Sequence, residues 1–132
     1  MAYSELQLFA ETEYFHVNNV KLLAYLDDAR REWYQFCLKL GVEAVVVHIS
    51  VDYKKEVFHN DQLSIRTWIK SVGNTSFTLE QRMLNEQTER IVSAKVVLAT
   101  IDHQSRKKVR VPDEVRKLLD QDIILANNNI ES

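Results

Sequence analysis

AETEYFHVNNVKLLAYLDDARREWYQFCLKLG, from Ala10 to Gly41, divides into two unlike halves. In the second, Leu22, Leu26, Ala29, Trp33, Phe36 and Leu40 recur at alternating spacings of four and three, which is one apolar face of a helix. Asp27, Asp28, Arg31, Glu32, Gln35 and Lys39 fall on other faces. Gly41 ends the run, as a residue without a Cβ suits the left-handed position just past a helix. The spacing predicts one long helix from about Asn19 to Leu40. The first half is crowded with polar groups: Glu11, Thr12, Glu13, His16, Asn18 and Asn19. That is more than helix capping requires.

Outward from the helix, the chain reads as strand. Tyr3 to Ala10 alternates, with Leu6, Leu8 and Ala10 on one side, as an edge strand or one lying against a partner would. After Gly41 come AVVVHISVDYKKEV (44–57), QLSIRTWIKSV (62–72), FTLEQRML (77–84) and RIVSAKVVLATID (90–102). HND, GNTS and NEQTE between them read as hairpin turns, so the expectation is an antiparallel meander. Pro112 starts a short amphipathic helix, DEVRKLLDQD, and the polar end from about residue 124 is expected to fray. A sheet with one helix is most simply curled around that helix. Its outer face, carrying residues such as Trp68, then needs cover that a second copy would supply. The expected fold class is α+β: a five-stranded antiparallel sheet wrapped around one long central helix, in a single domain spanning 1–132.

Composition narrows the function. The 132 residues carry a formal net charge of -2, with 45% apolar and 27% charged residues, which disfavours electrostatic binding to nucleic acid or an anionic membrane. The single cysteine, Cys37, forms no internal disulfide and no zinc-ligand pattern, so no metal is expected. MAYSELQLFAETE lacks the basic and apolar regions of a secretory signal, and no apolar run is long enough to span a bilayer; a cytoplasmic protein is expected. With only two glycines, Gly41 and Gly73, neither a dinucleotide-binding nor a P-loop motif can be written.

HVNNVKLLAYLDDAR resembles the signature of hotdog-fold acyl-CoA thioesterases of the 4-hydroxybenzoyl-CoA thioesterase family. VDYKKEVFHNDQLSIRT, SVGNTSFTL and ATIDHQSRKKVRVPDEVRKLL are similar to later segments of the same family, so the resemblance runs along nearly the whole chain. It implies hydrolysis of an acyl-CoA thioester to a free acid and CoA, with no cofactor, in a homodimer or homotetramer. Such chemistry needs a carboxylate to activate water or attack the carbonyl, and donors for the oxyanion. The family places an aspartate four residues before the histidine of HVNN, and here that position is Thr12. Glu13, nearer the helix than Glu11, is then the first candidate for the carboxylate, against a solvent-facing loop acid. Thr12 is left to position water or the loop.

By the same resemblance, His16 orients the loop or contacts substrate; a plain bond to nearby backbone is the alternative. Asn18 and Asn19 are good caps. The backbone amide of Asn19 is, by resemblance, the one that faces the thioester oxygen, at the positive end of the helix dipole. Asp27 and Asp28 remain as helix-borne acids or as a solvated face with local ion pairs. Tyr25 is a candidate for the acyl pocket, and Lys54, Lys55 and Arg66 for the CoA phosphates. An acyl-carrier-protein thioesterase and a non-catalytic acyl-thioester binder are the rival readings.

Overall fold

The computed structural model describes residues 1–130. Strand β1 (Tyr3–Phe9) is followed by helices α1 (Asn19–Ala29) and α2 (Arg31–Lys39). Strands β2 (Val42–Tyr53), β3 (Gln62–Val72), β4 (Ser76–Leu84) and β5 (Arg90–Asp102) come next. Helix α3 (Asp113–Lys117), a 3-10 turn at Leu118–Asp120 and strand β6 (Ile124–Ile130) complete the chain. The sheet has six strands in the order β2-β5-β4-β3-β1-β6. Every pairing is antiparallel except β1 with β6, which is parallel.

Two-residue alternation decides which way the sheet faces. Leu63, Ile65, Thr67 and Ile69 of β3, with Phe77, Leu79, Gln81 and Met83 of β4, point inward and are buried. Leu22, Leu26, Ala29, Trp33 and Cys37 of the two helices meet that face. The expected helical stripe is thus present, with Cys37 fully buried where Phe36 and Leu40 are only half-buried.

The single long helix is not. The chain breaks at Arg30, where the amides of Arg30 and Trp33 reach carbonyls three residues back at 3.0 and 2.9 Å, tightening the turn to 3-10 geometry. The break falls where a charge lies on the buried face. Arg30 is 4% exposed, and its guanidinium donates to Gln81 Oε1 (2.8 Å), the Tyr34 hydroxyl (2.8 Å) and Asp27 Oδ1 (3.1 Å). Gln81 in turn donates to the Leu26 carbonyl (2.9 Å) and Thr67 Oγ1 (3.0 Å). This polar band splits the core. Ala29, Ile65, Met83 and Ala94 lie in one apolar cluster; Trp33, Ile69, Leu79 and Val96 lie in the other.

Four further expectations are corrected. The tail from Ile124 does not fray but forms β6, whose Asn128 donates to Glu32 of α2 (3.0 Å); Glu131 and Ser132 lie outside the described residues. It also moves β1 off the sheet edge. Strand β2 makes no hairpin with β3 but pairs with β5, so the segment 54–61 crosses the end of the sheet. The outer sheet face is not apolar either. Arg66 pairs with Glu5 (2.9 Å), Lys70 with Glu80 (3.4 Å), and the Arg82 guanidinium sits 5.5 Å over the Trp68 ring. Gly41 does end the helices as expected, with φ +85°.

Candidate active site

The crossover 54–61 and the polar segment 10–18 are laced together beside the start of α1. Ala10 and Asn60/Asp61 exchange backbone hydrogen bonds at 2.7 and 2.8 Å, and the Val17 amide donates to the Val57 carbonyl at 2.7 Å. Val17 and Val57 are both buried, so this lacing is anchored in the core. Between these points the Thr12 amide donates to Nδ1 of His59 (3.1 Å), and the Glu11 amide donates to the Tyr25 hydroxyl (3.0 Å). Asn60, in the left-handed region at φ 68°, and Asp61, whose carboxylate accepts the Phe58 amide (2.8 Å), shape the turn that carries His59.

A cleft of about 580 Å³ opens there, with Thr12, Glu13, Asn18, Lys21 and His59 on its walls. Asn18 is the N-cap of α1, its Oδ1 accepting the Lys21 amide at 3.0 Å. The amides of Asn19 and Val20 precede the first intrahelical donor, Leu22, so they have no helical carbonyl to bond. No acidic residue occupies the first turn of α1, so no side chain of that turn offsets the positive end of its dipole. An anionic oxygen would be stabilised at that end of the cleft.

Of the residues singled out in the sequence, Thr12, Glu13 and Asn18 come together on the cleft wall, and Asn19 begins the adjoining helix. Glu11 joins them. The Thr12 hydroxyl accepts the Tyr14 amide (3.0 Å) and donates to the His16 carbonyl (3.5 Å), so it shapes the loop. His16 bonds the Val17 carbonyl through Nδ1 (3.2 Å), the backbone alternative. Tyr25 braces Glu11 instead of lining the cleft.

Lys55 is tied to Glu89, whose carboxyl that contact holds below the usual range, while Lys54 is exposed in the crossover. Arg66 lies on the opposite face of the sheet, against Glu5 and 4.1 Å from the Tyr3 ring centre, and does not reach the cleft. Asp27 and Asp28 form local pairs with Arg30 and Arg31. Burial pushes the Cys37 thiol up to about 11, so it is no nucleophile at neutral pH. Among the described residues no cluster of three metal-ligating side chains occurs, and no helix is long and apolar enough to cross a membrane.

The thioesterase-like superfamily matches residues 8–119 of this chain, from the end of β1 through α3. The chain belongs to that superfamily. It is 27% identical over 115 residues to the long-chain acyl-CoA thioesterase FadM of Escherichia coli (strain K12), covering 82% of this chain and 87% of FadM. In structure it resembles the DHNA-CoA thioesterase from Staphylococcus aureus, with 19% identity, a TM-score of 0.76, and coverage of 94% of this chain and 99% of that one. It also resembles a predicted thioesterase from Bacillus stearothermophilus, with 17% identity, a TM-score of 0.79, and coverage of 89% and 95%. The fold is the hotdog fold of these proteins, here with a divided helix and a sixth strand.

His59 and Lys21 were missed in the sequence. Lys21 lies one turn into α1, outside the polar stretch that the sequence singles out. His59 was hidden by reading HND as a hairpin turn. The signal against that reading is the interval from Tyr53 to Gln62, which is longer than a tight hairpin loop.

Proposed function

We propose that this thioesterase-superfamily chain hydrolyses acyl-CoA thioesters, releasing a carboxylic acid and CoA, at the cleft beside the start of α1. One observation carries the reading: the Glu13 carboxylate lines the same cleft as the start of α1, whose first amides have no helical carbonyl to bond. The Glu13 carboxylate takes a proton from water as the water oxygen bonds to the acyl carbon; if it attacks that carbon itself, the acyl–Glu13 anhydride left when the thiolate departs is then cleaved by water to the free acid and the restored carboxylate. The carbonyl oxygen becomes an oxyanion against the Asn19 amide, the C–S bond breaks, and the CoA thiolate leaves and is protonated. Thr12 has no part in proton transfer; its hydroxyl holds the loop. Asn18 caps the helix so that its first amides face the substrate, and Lys54 is the crossover cation that meets the CoA phosphates.

The site works in a homodimer in the cytoplasm. Strand β2 is an open edge, and Val46, Val47, Ile49 and Tyr53 along it are between 36% and 56% exposed. A long apolar edge of this kind is covered by a second copy or aggregates. The charged outer sheet face offers no comparable drive towards a tetramer.

Colorimetric thiol release across a panel of acyl-CoAs and acyl-carrier-protein thioesters tests the activity. Turnover of one or more acyl-CoAs is expected. Binding of several acyl-CoAs with no thiol release would leave a binding protein, and turnover restricted to carrier-protein substrates would change the acyl carrier.

A further inference from the structure

A backbone amide can only donate, so the bond from Thr12 N–H to His59 Nδ1 (3.1 Å) requires Nδ1 to be unprotonated. The neutral ring then carries its proton on Nε2. This contact has a particular place. Ala10 and Val17 are bonded to the crossover by backbone, but between them, among the described residues, the Thr12–His59 bond is the hydrogen bond from the loop to the crossover. Glu13 follows Thr12 directly, and both line the cleft with His59.

We propose that His59 is a positioning residue: as neutral imidazole it takes the Thr12 amide at Nδ1 and so holds Glu13 at the start of α1. The proposal rests on the thioesterase reading above and adds a residue to it. Protonating the ring places a second donor opposite the Thr12 amide. The two N–H groups repel, the bond is lost, and the loop is released from the crossover. The Thr12 amide is therefore held only while the ring is neutral. The charged groups around the ring are Glu11 and Glu13 on the loop, Lys21 on α1, and Asp61 in its own turn.

Two variants separate this role from a general structural one. In His59→Asn the side-chain oxygen takes the place of Nδ1 as acceptor but does not titrate; in His59→Ala the acceptor is gone. With a good acyl-CoA at pH 7.5, His59→Ala is expected to lose about 10–100-fold in kcat with little change in KM, the scale of a small misplacement. His59→Asn should recover most of that loss. The wild-type kcat should fall on acidification as the neutral imidazole is lost, and the Asn variant should lack that limb. Since Glu11, Glu13, Lys21 and Asp61 are common to both proteins, the difference isolates the ring.

Nitrogen-15 NMR of the wild type gives a readout independent of turnover. The neutral His59 ring should be protonated at Nε2, and the Thr12 amide should shift along the same pH curve as the ring. A Thr12 amide that ignores the ring's titration, wild-type kcat in His59→Ala, or an Asn variant no better than Ala would each overturn the assignment. If the wild type turned over no acyl-CoA, the NMR titration would still decide it.

Discussion

At the residue scale, Thr12 is the most informative position. An acid is expected there, and the structure shows a hydroxyl that closes a local turn by accepting the Tyr14 amide. An aspartate could accept the same amide with one carboxylate oxygen and leave the other free towards the cleft. Thr12→Asp should therefore preserve or raise kcat/KM for the best acyl-CoA while the fold stays intact. A fall of tenfold or more, about 1.4 kcal/mol in transition-state stabilisation, would show that a second carboxylate beside Glu13 is harmful. Site residues were partly legible in sequence because polar groups before an amphipathic helix have few purposes. Thr12, Glu13 and Asn18, singled out this way, do line one cleft. Arg66 stands away from this cleft because alternation in β3 sends it to the outer face, against Glu5. Local composition does not tell a phosphate ligand from a cross-strand partner of Glu5.

At the scale of the elements, the polar band through Arg30, Gln81 and Thr67 explains where the helix divides. Gln81 satisfies three groups at once: the Arg30 guanidinium, the Leu26 carbonyl and the Thr67 hydroxyl. Gln81→Leu is close in volume but takes the side-chain donor from the Leu26 carbonyl and one buried partner each from Arg30 and Thr67. It should destabilise the protein by about 1–3 kcal/mol, read as a lower urea midpoint with an unchanged slope. An unchanged midpoint would mean that water or a side-chain shift satisfies Arg30 equally well. The inward stripe and the terminating Gly41 were legible because periodicity and glycine geometry are local. The break at Arg30 was not, because Arg30 sits beside the apolar positions and its partner Gln81 is 51 residues away. Topology failed for the same reason. Strand lengths and alternation identify β2 and β3, but their partners depend on contacts far along the chain. The β6 segment, LANNN with flanking isoleucines, has little apolar patterning; its pairing with β1 supplies the order.

At the scale of the whole molecule, an open β2 edge is combined with a cleft at one end of the helices. Light scattering should return a dimer at micromolar concentration, and Val47→Lys on the β2 edge should shift it towards monomer with some loss of activity. A wild-type monomer would remove the edge-pairing argument. The proposed chemistry turns on the Glu13 carboxylate at the start of α1. The most direct test is steady-state thiol release by Glu13→Gln on the best acyl-CoA substrate, beside the wild type. The substitution keeps the side chain's shape and removes its basicity. The account predicts a kcat lower by about 10²–10⁴-fold with acyl-CoA binding nearly intact; a kcat equal to that of the wild type would contradict it.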